Sequence, residues 1–382
     1  MNAGRDWINR RGIDAYPSWA SKLGRARLGP RIFSLLIAVG MSSVLPNSNG
    51  FAEERLPQVL VSNVRKVFDN GQHNAFTDLV RFAGKYYLTF RSCPDGHMVH
   101  PTSSIRILAS ADGWAWEQVA EFRIEKRDTR DPHFLVFRDR LFVYTGTWFS
   151  GDTMLPRDQY DLNLHLGYAV WTVDGRSWSV PIPLEGTFGH YIWRAATHGD
   201  LAYLCGRRKK DFAVGPKADT AVQSVMLESE DGLIWRTKAK FQEIQGDEVA
   251  FQFDDAGGLL AVGRRGRETA ELIRSSPPYE QWERHDLGRY IGGPLLASWG
   301  ERTVVGGRVN VPGVGPRTVL SWLSGRSLHE FAELPSDGDN SYPGWIDLGG
   351  GRAWVSWYSS HERNQQNQPV TAIYMADLQL ID

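Results

Sequence analysis

The sequence predicts an all-β fold, a six-bladed β-propeller closed by an N-terminal strand. Three observations carry this. A turn motif, Ser/Thr-x-Asp-Gly-x-x-Trp, recurs along the chain. Short β-rich runs follow similar starting stretches spaced roughly fifty residues apart, room for four short strands and their turns. One further β-rich run, residues 59–64, is left over where the last unit is a strand short.

In order, the units start at Thr77-Asp78-Leu79-Val80, Arg130-Asp131-Pro132-His133-Phe134, Ile192-Trp193-Arg194-Ala195, Asp247-Glu248-Val249-Ala250-Phe251, Gly292-Gly293-Pro294-Leu295 and Ser341-Tyr342-Pro343-Gly344. Each precedes a strand-like run, such as Lys85-Tyr86-Tyr87-Leu88-Thr89-Phe90 in the first unit and Ala353-Trp354-Val355 in the last. The turn motif closes the first three units at residues 110–116, 172–178 and 229–235, with a degenerate copy running from Ser275 to Trp282. Its chemistry is that of a hairpin: Asp-Gly makes the bend, the Ser/Thr and Asp side chains bond the turn's own amides, and the Trp packs back over it. Asp112, Asp174 and Asp231 therefore read as structural, and Trp114, Trp116, Trp178 and Trp235 as packing between blades. The sixth unit runs out soon after Ala372-Ile373-Tyr374-Met375-Ala376, and residues 59–64 can supply its outer strand and hide both sheet edges.

Composition agrees and narrows the partners. The 382 residues are 42% hydrophobic with 15 Trp, enough for a packed core and too apolar for a disordered chain. A formal charge of −1 gives no electrostatic case for nucleic acid or an anionic membrane. Two cysteines exclude a disulfide scaffold, and Cys93 and Cys205, in blades one and three, read as free thiols. Arg207-Arg208-Lys209-Lys210 reads as a solvated loop. No residue pattern specifies an oligomer.

Residues 1–52 are a different kind of sequence. Arg25, Arg27 and Arg31 lead into the apolar run 32–41, and Phe51-Ala52 precedes Glu53-Glu54. A basic flank, a short apolar run and a small residue read as a secretory signal cleaved after Ala52, with an uncleaved anchor as the alternative. Residues 53–382 then form the propeller, with 36 Lys/Arg against 42 Asp/Glu and a charge of −6. The expected product is exported, periplasmic or secreted, and not stably attached to a membrane.

In a propeller the innermost strands begin around the central channel. Asp78, Arg130, Asp131, Arg194, Glu248 and Tyr342 therefore converge although far apart in sequence. Carboxylates, arginines and a tyrosine in one concavity suit acid/base or nucleophilic work. With its Asp-Gly turns, the chain from about Asn74 to Leu380 resembles the sialidase (neuraminidase) superfamily, closest to exported bacterial proteins with BNR (Asp-box) repeats. The resemblance implies an exo-glycosidase hydrolysing a terminal, acidic sugar from a glycan without a cofactor. It implies Tyr342 as nucleophile, Glu248 as the base activating it, and Arg264, sixteen residues on, as a clamp on the sugar's carboxylate. Arg317, with Arg308 as competitor, would be the next clamp arginine, and Asp95 the acid/base aspartate. The physical requirement is plain: a neutral phenol is a poor nucleophile without an adjacent carboxylate to take its proton, and guanidiniums pair with carboxylates in bidentate fashion.

The chain departs from the family in the first unit. Ala75-Phe76-Thr77-Asp78-Leu79 stands where Arg-Ile-Pro-x-Leu is expected, so one clamp arginine is missing. Arg91, Arg130 and Arg194 are candidate replacements. Asp78 and Asp131 either join the chemistry or bond strand amides around the channel.

Two other readings stand beside the hydrolase. His73, His97 and His361 lie near unit starts or on connecting loops; a base with cations that neutralise a uronic acid carboxylate would make a polysaccharide lyase. No His/Asp spacing reads as a metal-ligand set. A glycan-binding propeller without chemistry is the third reading. The register of Glu248, Arg264, Arg317 and Tyr342 favours an enzyme over a binding module, and among enzymes hydrolysis is placed ahead of elimination.

Overall fold

The computed structural model describes residues 56–214 and 222–381; the segment read as a leader lies outside them. Six four-stranded antiparallel sheets form the blades of a propeller. The innermost strands are His73–Phe82, Arg127–Phe137, Tyr191–His198, Val249–Phe253, Gly292–Trp299 and Asn340–Gly349. These carry, or in blade 4 directly follow, the six predicted starts. Blade 6 runs outward through Arg352–Arg363 and Pro369–Ile381 to the N-terminal strand Gln58–Phe68. In that closure Gln58 lies opposite Ile381 and Lys66 opposite Tyr374. One blade is thus built from both ends of the chain, which leaves no long exposed edge at the seam.

The apolar core is divided among the seams, because each blade buries one face against each neighbour. Between blades 1 and 2, Tyr87, Ile105 and Ile107 meet Leu141, Val143 and Val170. Between blades 2 and 3, Phe142 and Tyr144 meet Leu204, Leu227 and Trp235. Trp299 and Trp322 stack 5.4 Å apart at the seam between blades 5 and 6. Both cysteines are buried and free.

The Asp-Gly turns are built as their chemistry requires. Asp112 accepts from the amides of Trp114 and Ala115 at 2.8 and 3.0 Å, and Ser110 Oγ accepts from Gly113 at 2.8 Å. Asp174 and Asp231 repeat the pattern. A tyrosine of the preceding blade then caps two of these turns: the Tyr144 hydroxyl donates to Gly232 O at 2.9 Å and the Tyr87 hydroxyl to Gly175 O at 3.4 Å. Trp235 is buried, whereas Trp114 is exposed and stacked under Arg65 of blade 6, 4.2 Å from its ring.

What positions the site is a repeated defect in the ladders. In five innermost strands the register slips by one extra residue at the same level: between Ala75 and Asp78, Arg130 and His133, Ile192 and Ala195, Gly292 and Leu295, and Ser341 and Gly344. Such bulges bend a strand and re-aim the side chain they carry. Phe76, Asp131, Gly293 and Tyr342 sit in them with φ of 66°, 51°, 58° and 51°. A proline follows in three, Pro132, Pro294 and Pro343, where a missing N–H costs no ladder bond.

Candidate active site

The bulges bring Tyr342 of blade 6 onto Glu248 of blade 4. The tyrosine hydroxyl donates to Glu248 Oε1. Oε2 accepts from the Gly293 amide of blade 5 at 3.0 Å and pairs with Arg264 Nη1 at 3.1 Å. Gly293 is required by space: a Cβ there would lie 2.5 Å from Tyr342 Cδ2. Thr77 Oγ1 donates to Tyr342 O at 2.7 Å, and Ser341 Oγ to Gly292 O at 2.7 Å, so both neighbouring blades hold the bulge. The Tyr342 ring lies between Phe76, at 4.8 Å, and Trp193, at 5.8 Å. Burial, together with the Glu248 charge, pushes the phenol well above its ordinary value. Burial alone would raise Glu248, but Arg264, the Tyr342 hydroxyl and Arg207 outweigh it and hold the carboxyl below the usual range. The resting pair is a neutral phenol donating to a carboxylate.

The arginines divide into those consumed and those facing open space. Arg264 also pairs with Asp247 at 3.2 Å, and Arg207 holds that aspartate from the other side at 2.7 Å. Arg207 is therefore a half-buried ion-pair partner beneath the site and not part of a solvated loop; it lies on strand Leu201–Lys209. Arg308 has its carboxylate neighbour, Asp339, at 3.5 Å. Arg264, Arg267 and Arg308 line a cavity of about 380 Å³ with Tyr290, Asn310 and Pro316. Arg317 sits away from it, paired with Asp337 at 3.0 Å and Glu333 at 3.4 Å. A larger cavity of about 890 Å³ lies at the opposite end of blade 4's strands, around Gln252, Pro277 and Trp282, far from these groups.

The candidate replacements for the missing clamp are all engaged. Arg194 crosses the channel to Asp78 of blade 1 at 3.1 Å and to Pro343 O of blade 6 at 2.7 Å. Asp78 Oδ2 accepts from the Phe134 amide at 2.9 Å, so this carboxylate ties blades together. Burial would raise Asp78, but Arg194 and His133 hold it below the usual range. Arg91, fully buried, bonds Asp128 and the carbonyls of Gly96 and Met98, each at 3.0 Å. Arg130 pairs with Asp128 at 2.9 Å, donates to His97 O at 2.5 Å, and lies over the Phe76 ring at 5.4 Å. Arg91 and Arg130 thus clamp the loop holding Asp95, whose carboxylate accepts from Thr102 at 2.5 Å.

Asp131 differs from the other carboxylates. One oxygen accepts from the Tyr191 hydroxyl; the other, Oδ1, is buried with no partner. Burial lifts its pKa to about 6, opposed by Arg130 and reinforced by the charge of Glu248. His73 and His97 both reach Asp339, at 2.9 and 2.7 Å. His361 is elsewhere, on Ser359 Oγ at 2.9 Å and beside Tyr374. Asp339, Tyr191 and Tyr290 belong to no motif in the sequence. Their signal was position: Asp339 lies two residues ahead of Ser341, and Tyr191 and Tyr290 one and two ahead of their unit starts.

No protein-family model and no curated sequence matches the chain. Among solved structures, it is similar to a protein of unknown function from Dyadobacter fermentans at 18% identity and a TM-score of 0.69, covering 85% of this chain and 100% of that one. It is similar to Trypanosoma rangeli sialidase at 13% identity and a TM-score of 0.59, over 83% of this chain and 60% of that one. A phage phi92 endosialidase matches at 11% identity and a TM-score of 0.59, over 84% of this chain and 69% of that one. The trypanosomal sialidase has also been solved with sialic acid and as a covalent intermediate with 2,3-difluorosialic acid. At these identities the likeness is one of fold: the chain is a six-bladed propeller similar in architecture to the sialidases.

Proposed function

We propose that the protein is an exported glycoside hydrolase that removes a terminal anionic sugar from a glycan through a tyrosine nucleophile. The observation that supports this best is the Tyr342 hydroxyl bonded to Glu248, with Arg264 on the same carboxylate beside an arginine-lined cavity. The sugar's carboxylate enters between Arg264 and Arg308. Sharing Arg264 with a second anion weakens its hold on Glu248 and raises that carboxylate's proton affinity. Glu248 then takes the phenolic proton as the oxygen attacks the anomeric carbon. The glycosidic bond breaks, and the departing oxygen receives a proton from Asp131. Water, deprotonated by Asp131, releases the sugar from the tyrosine while Glu248 returns its proton. In this reading Asp131 performs the task the family resemblance assigns to Asp95.

Arg308→Ala is expected to raise KM for an anionic substrate by about tenfold or more with a smaller change in kcat, a loss of about 1.5–3 kcal/mol. Arg317→Ala, whose partners lie at the rim, is expected to change KM less than about twofold. Equal effects of the two would remove the cavity from the binding step.

Asp131 sets a pH dependence. Its folded pKa of about 6 lies above the unfolded 3.8. Between those values the folded state holds the extra proton, so this group's contribution to stability falls as pH rises through the window and stays lost above it. Asp131→Asn is therefore expected to be more stable than wild type at pH 8, by on the order of 2–3 kcal/mol, with little difference near pH 4. As the acid, Asp131 must be protonated, so wild-type kcat should decline above about pH 6. A denaturation series and a pH–rate profile check both, and a flat profile removes Asp131 from the proton transfer.

The deciding assay incubates the protein with sialosides and with uronate-capped glycans, following reducing sugar and conjugated-uronate absorbance in parallel. Reducing sugar without that absorbance is expected. Absorbance would instead establish elimination, and binding without either product would establish a lectin-like propeller.

A further inference from the structure

We propose that His73, His97 and Asp339 form a binding site for a zinc ion at the rim of the channel. His73 begins the innermost strand of blade 1, His97 lies on the loop after that blade's second strand, and Asp339 immediately precedes the innermost strand of blade 6. The three come from distant parts of the sequence, so no local spacing announces them. Their nearest nitrogen and oxygen atoms all lie within 4.8 Å of one another. His73 Nε2 and His97 Nδ1 converge on a single oxygen, Asp339 Oδ2, at 2.9 and 2.7 Å.

The surroundings divide the aspartate's two oxygens. Oδ1 accepts from the Tyr358 hydroxyl at 2.9 Å and has Arg308 at 3.5 Å, which leaves Oδ2 for the histidines. A hydrogen bond to a ligating carboxylate's second oxygen is the usual outer support of a metal site. Ring contacts and the backbone of the His97 loop position the histidines. The His73 ring is edge-on to His97 at 5.2 Å and to Tyr358 at 6.4 Å. Arg91 and Arg130 hold the loop of His97 through the carbonyls of Gly96, His97 and Met98.

Two imidazoles and a carboxylate select a borderline transition metal over magnesium or calcium, which prefer all-oxygen sets. Zinc bonds of 2.0–2.2 Å place tetrahedral ligand atoms about 3.3 Å apart. The cluster must therefore open by roughly half an ångström. His97 can supply that movement, because its side chain is 46% exposed on a loop. Three protein ligands leave a fourth position for water. The ion would staple the His97 loop to blade 6 beside Phe76, whose ring separates His97 from Tyr342. The proposal does not depend on the hydrolase reading.

The test is calorimetric titration of the chelator-stripped full chain with zinc chloride, with the cobalt(II) form examined by visible spectroscopy. One saturable site per chain, a four-coordinate cobalt spectrum and a zinc-dependent rise in Tm are expected. His97→Ala and Asp339→Asn should each weaken zinc by more than about 100-fold, since losing an outer partner alone costs 10–100-fold. His285→Ala, outside the cluster, should leave the titration unchanged. No saturable binding, or binding that survives His97→Ala, overturns the site. Because His97 is half exposed, that variant decides the matter even if Asp339→Asn does not fold.

Discussion

If Tyr342 is the nucleophile of the proposed hydrolysis, Tyr342→Phe is expected to lower kcat by roughly 10³–10⁵-fold, since only binding and electrostatics would remain. The fold should survive. Glu248 keeps Arg264 and the Gly293 amide, so the lost phenolic hydrogen bond costs about 1–3 kcal/mol. The Phe ring still fills the slot between Phe76 and Trp193 that Gly293 leaves open. Mass spectrometry after incubation with a 2,3-difluoro acidic sugar should show an adduct on the Tyr342 peptide of the wild type and none in the variant. A variant keeping more than about a tenth of wild-type kcat, or an adduct on another residue, would end the nucleophile assignment.

The second large effect is structural. Arg194→Ala is expected to destabilise the propeller by about 3–5 kcal/mol near pH 7, because it strands Asp78 as a buried carboxylate without its cation. Arg194 reaches from blade 3 to Asp78 in blade 1 and to the carbonyl that follows Tyr342 in blade 6. Its loss should therefore loosen the Tyr342 bulge as well. In the wild type the folded state holds Asp78 below its ordinary pKa, stability that is present above the unfolded value and lost as pH falls. Without Arg194, burial dominates and the folded pKa rises instead. The gap between variant and wild type should accordingly narrow as pH falls toward 4 in urea denaturation. Asp78→Asn added to Arg194→Met should recover part of the loss, since removing both charges avoids the stranded one. A pH-independent gap would mean the loss came from packing.

The blade count, the strand order within blades and the closure by the N-terminal strand were legible in the sequence. Asp-Gly turns with flanking Ser/Thr and Trp are local codes, and the six unit starts they help to space leave one strand to be borrowed. The meeting of Glu248 and Tyr342 was legible for a related reason, since residues at unit starts must converge wherever the units close into a ring. The arginines were not legible in this way. Arg91 is consumed by a carboxylate 37 positions away and Arg194 by one 116 away, whereas Arg308 is left facing a cavity that Arg317 does not reach.

The division has a physical basis. Turn chemistry and strand alternation act over a few residues, so the sequence by itself determined the propeller and which residues ring its channel. Ion pairing, burial and the aim of a bulged side chain depend on what the neighbouring blade presents at contact distance. Only the tertiary structure decided that Glu248 rests as a carboxylate under Arg264, that Asp131 is a buried carboxyl with an unpartnered oxygen, and that two histidines and Asp339 meet at one point in space.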